Sequence, residues 1–268
     1  MPAPDIITPA QLARRIGLPD APAILDVRVP EDRAADPRRL PASGFASHRD
    51  VAAWAERFRG RDVVVVCQRG LKLSQGTAAW LRHAGARAEA LEGGFEAWAA
   101  AGLPLLRPDA LPPADRSLWV TRARPKVDRI ACPWLIRRFV DPEAVFLFVA
   151  PSEVTAVAER FSAIPFDVPG VHWSHRGEAC TFDVMVEEFG LLTPALARLA
   201  TVVRGADTAR HDLAPEAAGL LAASLGLSRM FRDDLAQLDA GLALYDAFYR
   251  WARDAHDETH DWQDGPAR

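Results

Sequence analysis

The sequence predicts an α/β fold, a doubly wound parallel sheet, followed by a mainly helical α+β domain. Three observations carry that expectation. Asp62-Val63-Val64-Val65-Val66 is an unbroken β-branched run, the pattern of a strand buried on both faces of a parallel sheet. Strand, loop and helix patterns alternate on either side of it up to Arg107. Past Cys180 the apolar spacing turns helical, over roughly 182–189, 194–204, 214–226 and 231–253.

In chain order, Thr8 is a candidate N-cap with Pro9 at the first helical position, which predicts a short helix over 8–16. An apolar strand follows over 23–27, with Asp26 and Arg28 at its end, then a helix over 52–58. After the valine strand come a helix over 74–84 with Ala78, Trp80 and Leu81 inward, a strand over 86–91, a turn at Gly93-Gly94 and a helix over 95–101. Pro104, Pro108, Pro112 and Pro113 mark a connector, and 108–116 is expected to link a first domain, 1–107, to a second, 117–268. The second domain offers strands over 118–122 and 145–149. Between them a helix is expected over 134–140, capped near Cys132 with Pro133 in its first turn. Trp134, Phe139, Phe146 and Phe148 read as core, and the tail after Arg253, with His256 and His260, as loose.

Composition narrows the function classes. The chain has 268 residues, 49% hydrophobic and 25% charged, and no apolar run of the length a bilayer requires. The first residues lack a basic segment followed by an apolar stretch, so a cytoplasmic protein without a signal peptide is expected. Cys67, Cys132 and Cys180 are too few, and odd in number, for a disulfide framework. The net charge is −4, and neither half has the basic excess of a nucleic-acid binder, so no nucleic-acid partner is expected. No helix-turn-helix signature supports a DNA regulator, and the sequence sets no oligomeric state.

The strongest chemical signal is Cys67-Gln68-Arg69-Gly70-Leu71-Lys72-Leu73-Ser74, between a buried strand and a helix. Amides in a tight strand-to-helix loop converge, and the helix N-terminus adds partial positive charge; both favour a thiolate, the reactive form of cysteine. Cys67 is therefore the candidate nucleophile. Residues 68–74 form the candidate anion cradle, with Arg69 and Lys72 orienting a small anionic substrate.

Together with Leu25-Asp26-Val27-Arg28 and Leu91-Glu92-Gly93-Gly94-Phe95-Glu96-Ala97-Trp98, this loop resembles those of rhodanese-like sulfurtransferases, over almost all of 5–107. The resemblance implies a cysteine that takes up sulfane sulfur as a persulfide and passes it on without a cofactor. It also implies structural roles for Asp26 and Arg28. Two departures stand out. The usual His-Ile-Pro-Gly-Ala stretch is only loosely present as Leu40-Pro41-Ala42-Ser43-Gly44, and Ser74 lies seven residues after the cysteine where the family commonly has six. Related enzymes with longer loops bind tetrahedral oxyanions, but their arginine falls at Leu73, so the substrate is a sulfane donor or a bulkier oxyanion.

In the second domain, Trp119-Val120-Thr121-Arg122, the segment Pro125 to Phe139, His175-Arg176-Gly177-Glu178-Ala179-Cys180-Thr181-Phe182-Asp183 and Arg204-Gly205-Ala206-Asp207 resemble the C-terminal domain of ChrB-type chromate-resistance proteins. That resemblance implies involvement in bacterial chromate resistance. ChrB proteins carry a different N-terminal region associated with regulation, so the regulatory role does not transfer. His175, Glu178, Cys180 and Asp183 offer four ligands within nine residues, suited to zinc or iron, with Cys132, Asp207 and His211 as candidates to join them. Arg122, Arg124, Lys126, Arg129, Arg137 and Arg138, opposed only by Asp128, suit either an oxyanion site or a solvated helix face. The expected function is a Cys67 sulfurtransferase linked to chromate resistance. The alternative is a chromate- or metal-binding protein whose first domain is non-catalytic or reports redox state.

Overall fold

The computed structural model describes residues 5–112 and 117–258. Part of the expected linker, 113–116, and His260 lie outside the described residues. The first half contains β1 (Ile6–Ile7), α1 (Pro9–Arg15), β2 (Ala23–Asp26), α2 (Pro30–Ala35), β3 (Ser43–Phe45), α3 (Val51–Trp54), β4 (Asp62–Val66), α4 (Lys72–His83), β5 (Arg87–Leu91) and α5 (Gly94–Ala100). Its five strands run parallel in the order β1-β5-β4-β2-β3. The valine run forms the central strand, and Val63 to Val66 are all buried because helices cover both faces. Thr8 caps α1 in a reciprocal capping box with Gln11, as its position before Pro9 anticipates.

The second half contains β6 (Leu118–Arg122), α6 (Asp128–Leu135), β7 (Val145–Val149), α7 (Val154–Phe161), β8 (Ile164–Pro165), α8 (Thr181–Glu188), α9 (Pro194–Asp207), α10 (Glu216–Met230) and α11 (Asp234–Asp254). Three parallel strands, β7-β6-β8, are followed by a helix-rich remainder. No helix among the described residues is long and apolar enough to cross a membrane.

Several expectations are corrected. The helix expected over 134–140 begins at Asp128, which leaves Pro133 inside it, and a π-helical turn follows over Ile136–Val140. Tertiary contacts set that start: the Val127 amide donates to Ser224 Oγ at 3.0 Å, and the Val127 carbonyl accepts from the Tyr245 hydroxyl at 2.9 Å. Helix α4 starts at Lys72, two residues early, which places Ser74 in its first turn. Trp80 is 49% exposed rather than inward, because Thr77, Ala78 and Leu81 fill the buried face.

The proline-marked connector is also packed more closely than its composition suggests. Leu106 is fully buried, Arg39 and Leu106 exchange backbone hydrogen bonds, and the Arg107 amide donates to the Phe189 carbonyl. Leu12, Ile16, Leu40, Trp98 and Leu106 from the first half share one apolar cluster with Trp134, Phe139 and Tyr249 from the second.

Candidate functional site

Cys67 directly follows β4, at the carboxyl edge of the sheet, and its side chain is buried. Two glycines allow the loop after it to close. Gly70 has φ +67°, and a Cβ there would collide with the Leu91 carbonyl and the Gly93 and Gly94 amides. Gly94 has φ +60°, and a Cβ there would strike the Cys67 carbonyl. Backbone bonds complete the contact: the Phe95 amide donates to Cys67 O at 2.9 Å and the Glu96 amide to Gln68 O at 3.0 Å. The Gly-Gly-Phe-Glu segment is thus the floor of the cysteine loop.

Cys67 Sγ lies 3.2 Å from Ser74 Oγ. Burial pushes the thiol's pKa up, but hydrogen bonds from the Ser74 hydroxyl and from the Ser74, Arg69 and Leu71 amides outweigh it and leave the pKa lowered. Arg69 and Lys72, expected to orient substrate, are both exposed. The Arg69 guanidinium pairs with Glu96 at 3.3 Å, which also accepts from Gln68 Nε2 at 3.2 Å. Leu73 packs partly against the apolar cluster that contains Cys67, so no cation stands at that position.

Asp26 and Arg28 form a buried pair at the neighbouring strand end. The Arg28 guanidinium donates to Asp26 Oδ2 at 2.8 and 3.0 Å and to Oδ1 at 3.2 Å, donates to the carbonyls of Asp36 and Arg38, and lies 3.9 Å from the Phe95 ring centroid. It ties β2 to the floor of the cysteine loop.

In the second half the ligand set expected from the sequence does not gather as a unit. Asp183 accepts from the Cys180 amide and pairs with Arg204, and Glu178 is exposed. Of the candidates, His175 meets Asp207, together with two acids outside the expected set. Its Nε2 is 3.2 Å from Asp207 Oδ2, 3.5 Å from Asp128 Oδ2 and 3.5 Å from Asp167 Oδ1. These carboxylates raise its pKa to about 10, the hydrogen bonds to Asp167 and Asp207 contributing most. Asp128 is fully buried and receives the Thr181 amide at 2.6 Å; burial and then the Asp207 and Asp167 charges push its carboxyl up. Asp167 takes the Thr181 hydroxyl at 3.0 Å and pairs with Arg122 and Arg129, and with His175 these hold it low against the effect of burial. Burial pushes the Cys132 and Cys180 thiols up, aided by nearby carboxylates.

The basic stretch is neither an open oxyanion site nor a solvated helix face. Arg122 and Arg129 hold Asp167, Arg124 grips the Ser228 and Phe231 carbonyls, Arg137 pairs with Asp239, and Arg138 forms a two-pronged pair with Asp246. The contacts of Arg124, Arg137 and Arg138 fasten α10 and α11 to the segment 124–138. Sequence reasoning missed Asp167, because the two-residue strand before it is too short to show a pattern, and read Asp128 as a counter-charge. A lone acid in the apolar stretch 127–136 was the available signal.

Comparison with known proteins follows the same division. Residues 8–101 match the family model described as rhodanese-like domain, and residues 119–252 match the model described as ChrB, C-terminal domain. Protein ChrB of Cupriavidus metallidurans is 36% identical over 132 residues, which is 49% of this chain and 39% of that protein. This chain therefore spans well under half of that relative's length. Among solved structures, a rhodanese-related protein of Thermoplasma volcanium is 24% identical over 37% of this chain and 95% of its own, with a TM-score of 0.33. A thiosulfate sulfurtransferase from Pseudomonas aeruginosa is 27% identical over 39% of this chain and 19% of its own, with a TM-score of 0.32.

Proposed function

This chain belongs to the family of the ChrB C-terminal domain and carries a rhodanese-like domain ahead of it. On that premise we propose that it is a cytoplasmic sulfurtransferase, working through a Cys67 persulfide and linked to chromate resistance. One observation carries the enzymatic part: a buried thiol with lowered pKa beside the Ser74 hydroxyl and three converging amides. The cytoplasmic part rests on all three cysteines being free thiols, the state a reducing compartment maintains.

The Cys67 thiolate attacks the outer sulfur of an anionic sulfane donor such as thiosulfate. The donor's S–S bond breaks, sulfite leaves with the electron pair, and a new S–S bond joins that sulfur to Cys67. The amides of the loop then hold the negative charge on the terminal persulfide sulfur. A nucleophilic acceptor attacks that sulfur, and the Cys67 thiolate leaves.

Thiosulfate:cyanide sulfurtransfer by the wild type and by Cys67→Ser tests the reading. Turnover is expected in the wild type only, with a mass increase of one sulfur atom on the wild-type chain after donor alone. Turnover that survives the substitution would remove Cys67 from its role. A wild type that forms no persulfide with any sulfane donor would favour a binding protein with a silent first domain.

A further inference from the structure

We propose that Asp128, His175 and Asp207 form a binding site for one divalent transition-metal cation, with Asp167 as a positioning carboxylate. The site is independent of Cys67 and differs from the ligand set read off the sequence. One ligand atom from each of the three residues falls within 4.8 Å of the others. Metal–nitrogen and metal–oxygen bonds of about 2.0–2.2 Å separate adjacent ligand atoms by roughly 3.0–3.5 Å. The 3.2 and 3.5 Å separations of the Asp207 and Asp128 oxygens from His175 Nε2 fall within that range.

Hydrogen bonding alone accounts poorly for the arrangement. Nε2 carries at most one proton, and a charge-assisted bond closes to about 2.7–2.9 Å. Here three carboxylate oxygens stand around it at 3.2 to 3.5 Å, none at that distance.

Asp128 supplies an independent observation. It is 0% exposed, its Oδ2 takes one amide, and its Oδ1 has no hydrogen-bond partner among the described residues. Buried among like charges and with an idle oxygen, its carboxyl is costly to ionise until a cation reaches it. Arg122 and Arg129 are committed to Asp167 instead.

The position suits a ligand as well. Asp128 begins α6 after β6, Asp167 follows β8, and His175 and Asp207 come from the loop before α8 and the end of α9. This is the carboxyl edge of a parallel sheet, where α/β folds place their ligands.

Two carboxylates and an imidazole select a borderline ion such as zinc, manganese or ferrous iron. Calcium requires more oxygens, and magnesium has little use for the imidazole. The His175 side chain is 41% exposed, which leaves the remaining coordination positions to solvent.

Metal-stripped full-length protein, titrated calorimetrically with Zn²⁺, Mn²⁺ and Co²⁺ and checked by elemental analysis, tests the site. The expected result is one equivalent of cation, bound at least about tenfold more weakly by His175→Gln and by Asp207→Asn. Glu178→Gln should bind as the wild type does, and circular dichroism establishes that each variant is folded. The Co²⁺ complex should show no thiolate-to-metal charge transfer. Failure to take up a stoichiometric amount of any of the three ions would overturn the proposal. So would binding that neither substitution weakens, or a thiolate band placing the ion on Cys132 or Cys180.

Discussion

The sulfur of Cys67 and the hydroxyl of Ser74, 3.2 Å apart, join the end of β4 to the first turn of α4. Only the thiolate is alkylated, so a lowered pKa keeps Cys67 reactive at pH values where a free cysteine is already protonated. Ser74→Ala keeps the burial, which raises the pKa, and removes the largest stabiliser of the anion. The pH profile of iodoacetamide reaction should therefore move to higher pH in Ser74→Ala, with sulfurtransfer at neutral pH falling in step. Superimposable profiles for the two proteins would show that the hydroxyl leaves the thiolate unaffected.

Gly70 and Gly94 interlock, each in the left-handed region and each with backbone where a Cβ would go. Gly94→Ala combines a left-handed penalty of about 1–2 kcal/mol with an overlap costing roughly 1–3 kcal/mol. Urea unfolding should show a loss of at least about 2 kcal/mol, together with loss of Cys67 reactivity. Gly76, inside α4, has open space at its Cβ position. Gly76→Ala should leave reactivity intact and add up to about 1 kcal/mol, the helix-propensity difference. Equal stabilities for the two variants would show that the two glycines do not interlock.

Arg28 is 1% exposed, and its guanidinium is the only cation bonded to Asp26 among the described contacts. Removing it in Arg28→Ala leaves a buried unpaired carboxylate, for which the expected loss is about 3–5 kcal/mol in denaturant unfolding. Arg28→Lys should recover only part of this, since an ammonium cannot span both Asp26 oxygens and two carbonyls at once. By contrast, Glu56→Gln breaks an ion pair whose side chains are 64% and 65% exposed and should change stability by less than about 0.5 kcal/mol.

The local chemistry of the first half was legible because it is contiguous. The valine run, the Thr8 cap and the cysteine loop declare themselves within a few residues, so β4, α1 and the placing of Cys67 between a strand and a helix follow from local rules. What escaped depends on distant partners. Helix α6 starts where Ser224 and Tyr245 fix Val127, about a hundred residues away, and no local pattern encodes that. His175 and the three carboxylates around it come from four separate segments, so spacing directed attention to Glu178, which is exposed, and Asp183, which pairs with Arg204. The arginines of 122–138 read as an oxyanion site or a solvated face because the partners of Arg124 and the acids that pair with Arg137 and Arg138 lie more than a hundred residues on.

Across the proline-marked connector, the two halves share an apolar cluster. Gly17, with φ +83°, leaves the space that the Phe139 and Tyr249 rings occupy. The Ala42 amide donates to Phe139 O at 2.6 Å, and Arg253 donates to the Arg14 carbonyl at 2.9 Å. Tyr249 is 5% exposed and packs on both Trp134 and Phe139, so Tyr249→Ala opens a cavity where the halves meet, at a cost of about 3–5 kcal/mol. If the cluster couples the halves, exposure of Cys67 to a thiol reagent and loss of helical circular dichroism must follow one denaturant transition, since neither half keeps its core without the other. Tyr249→Ala should shift both probes together to lower denaturant. Were the halves independent, the substitution would move the helical signal and leave the Cys67 transition where it was.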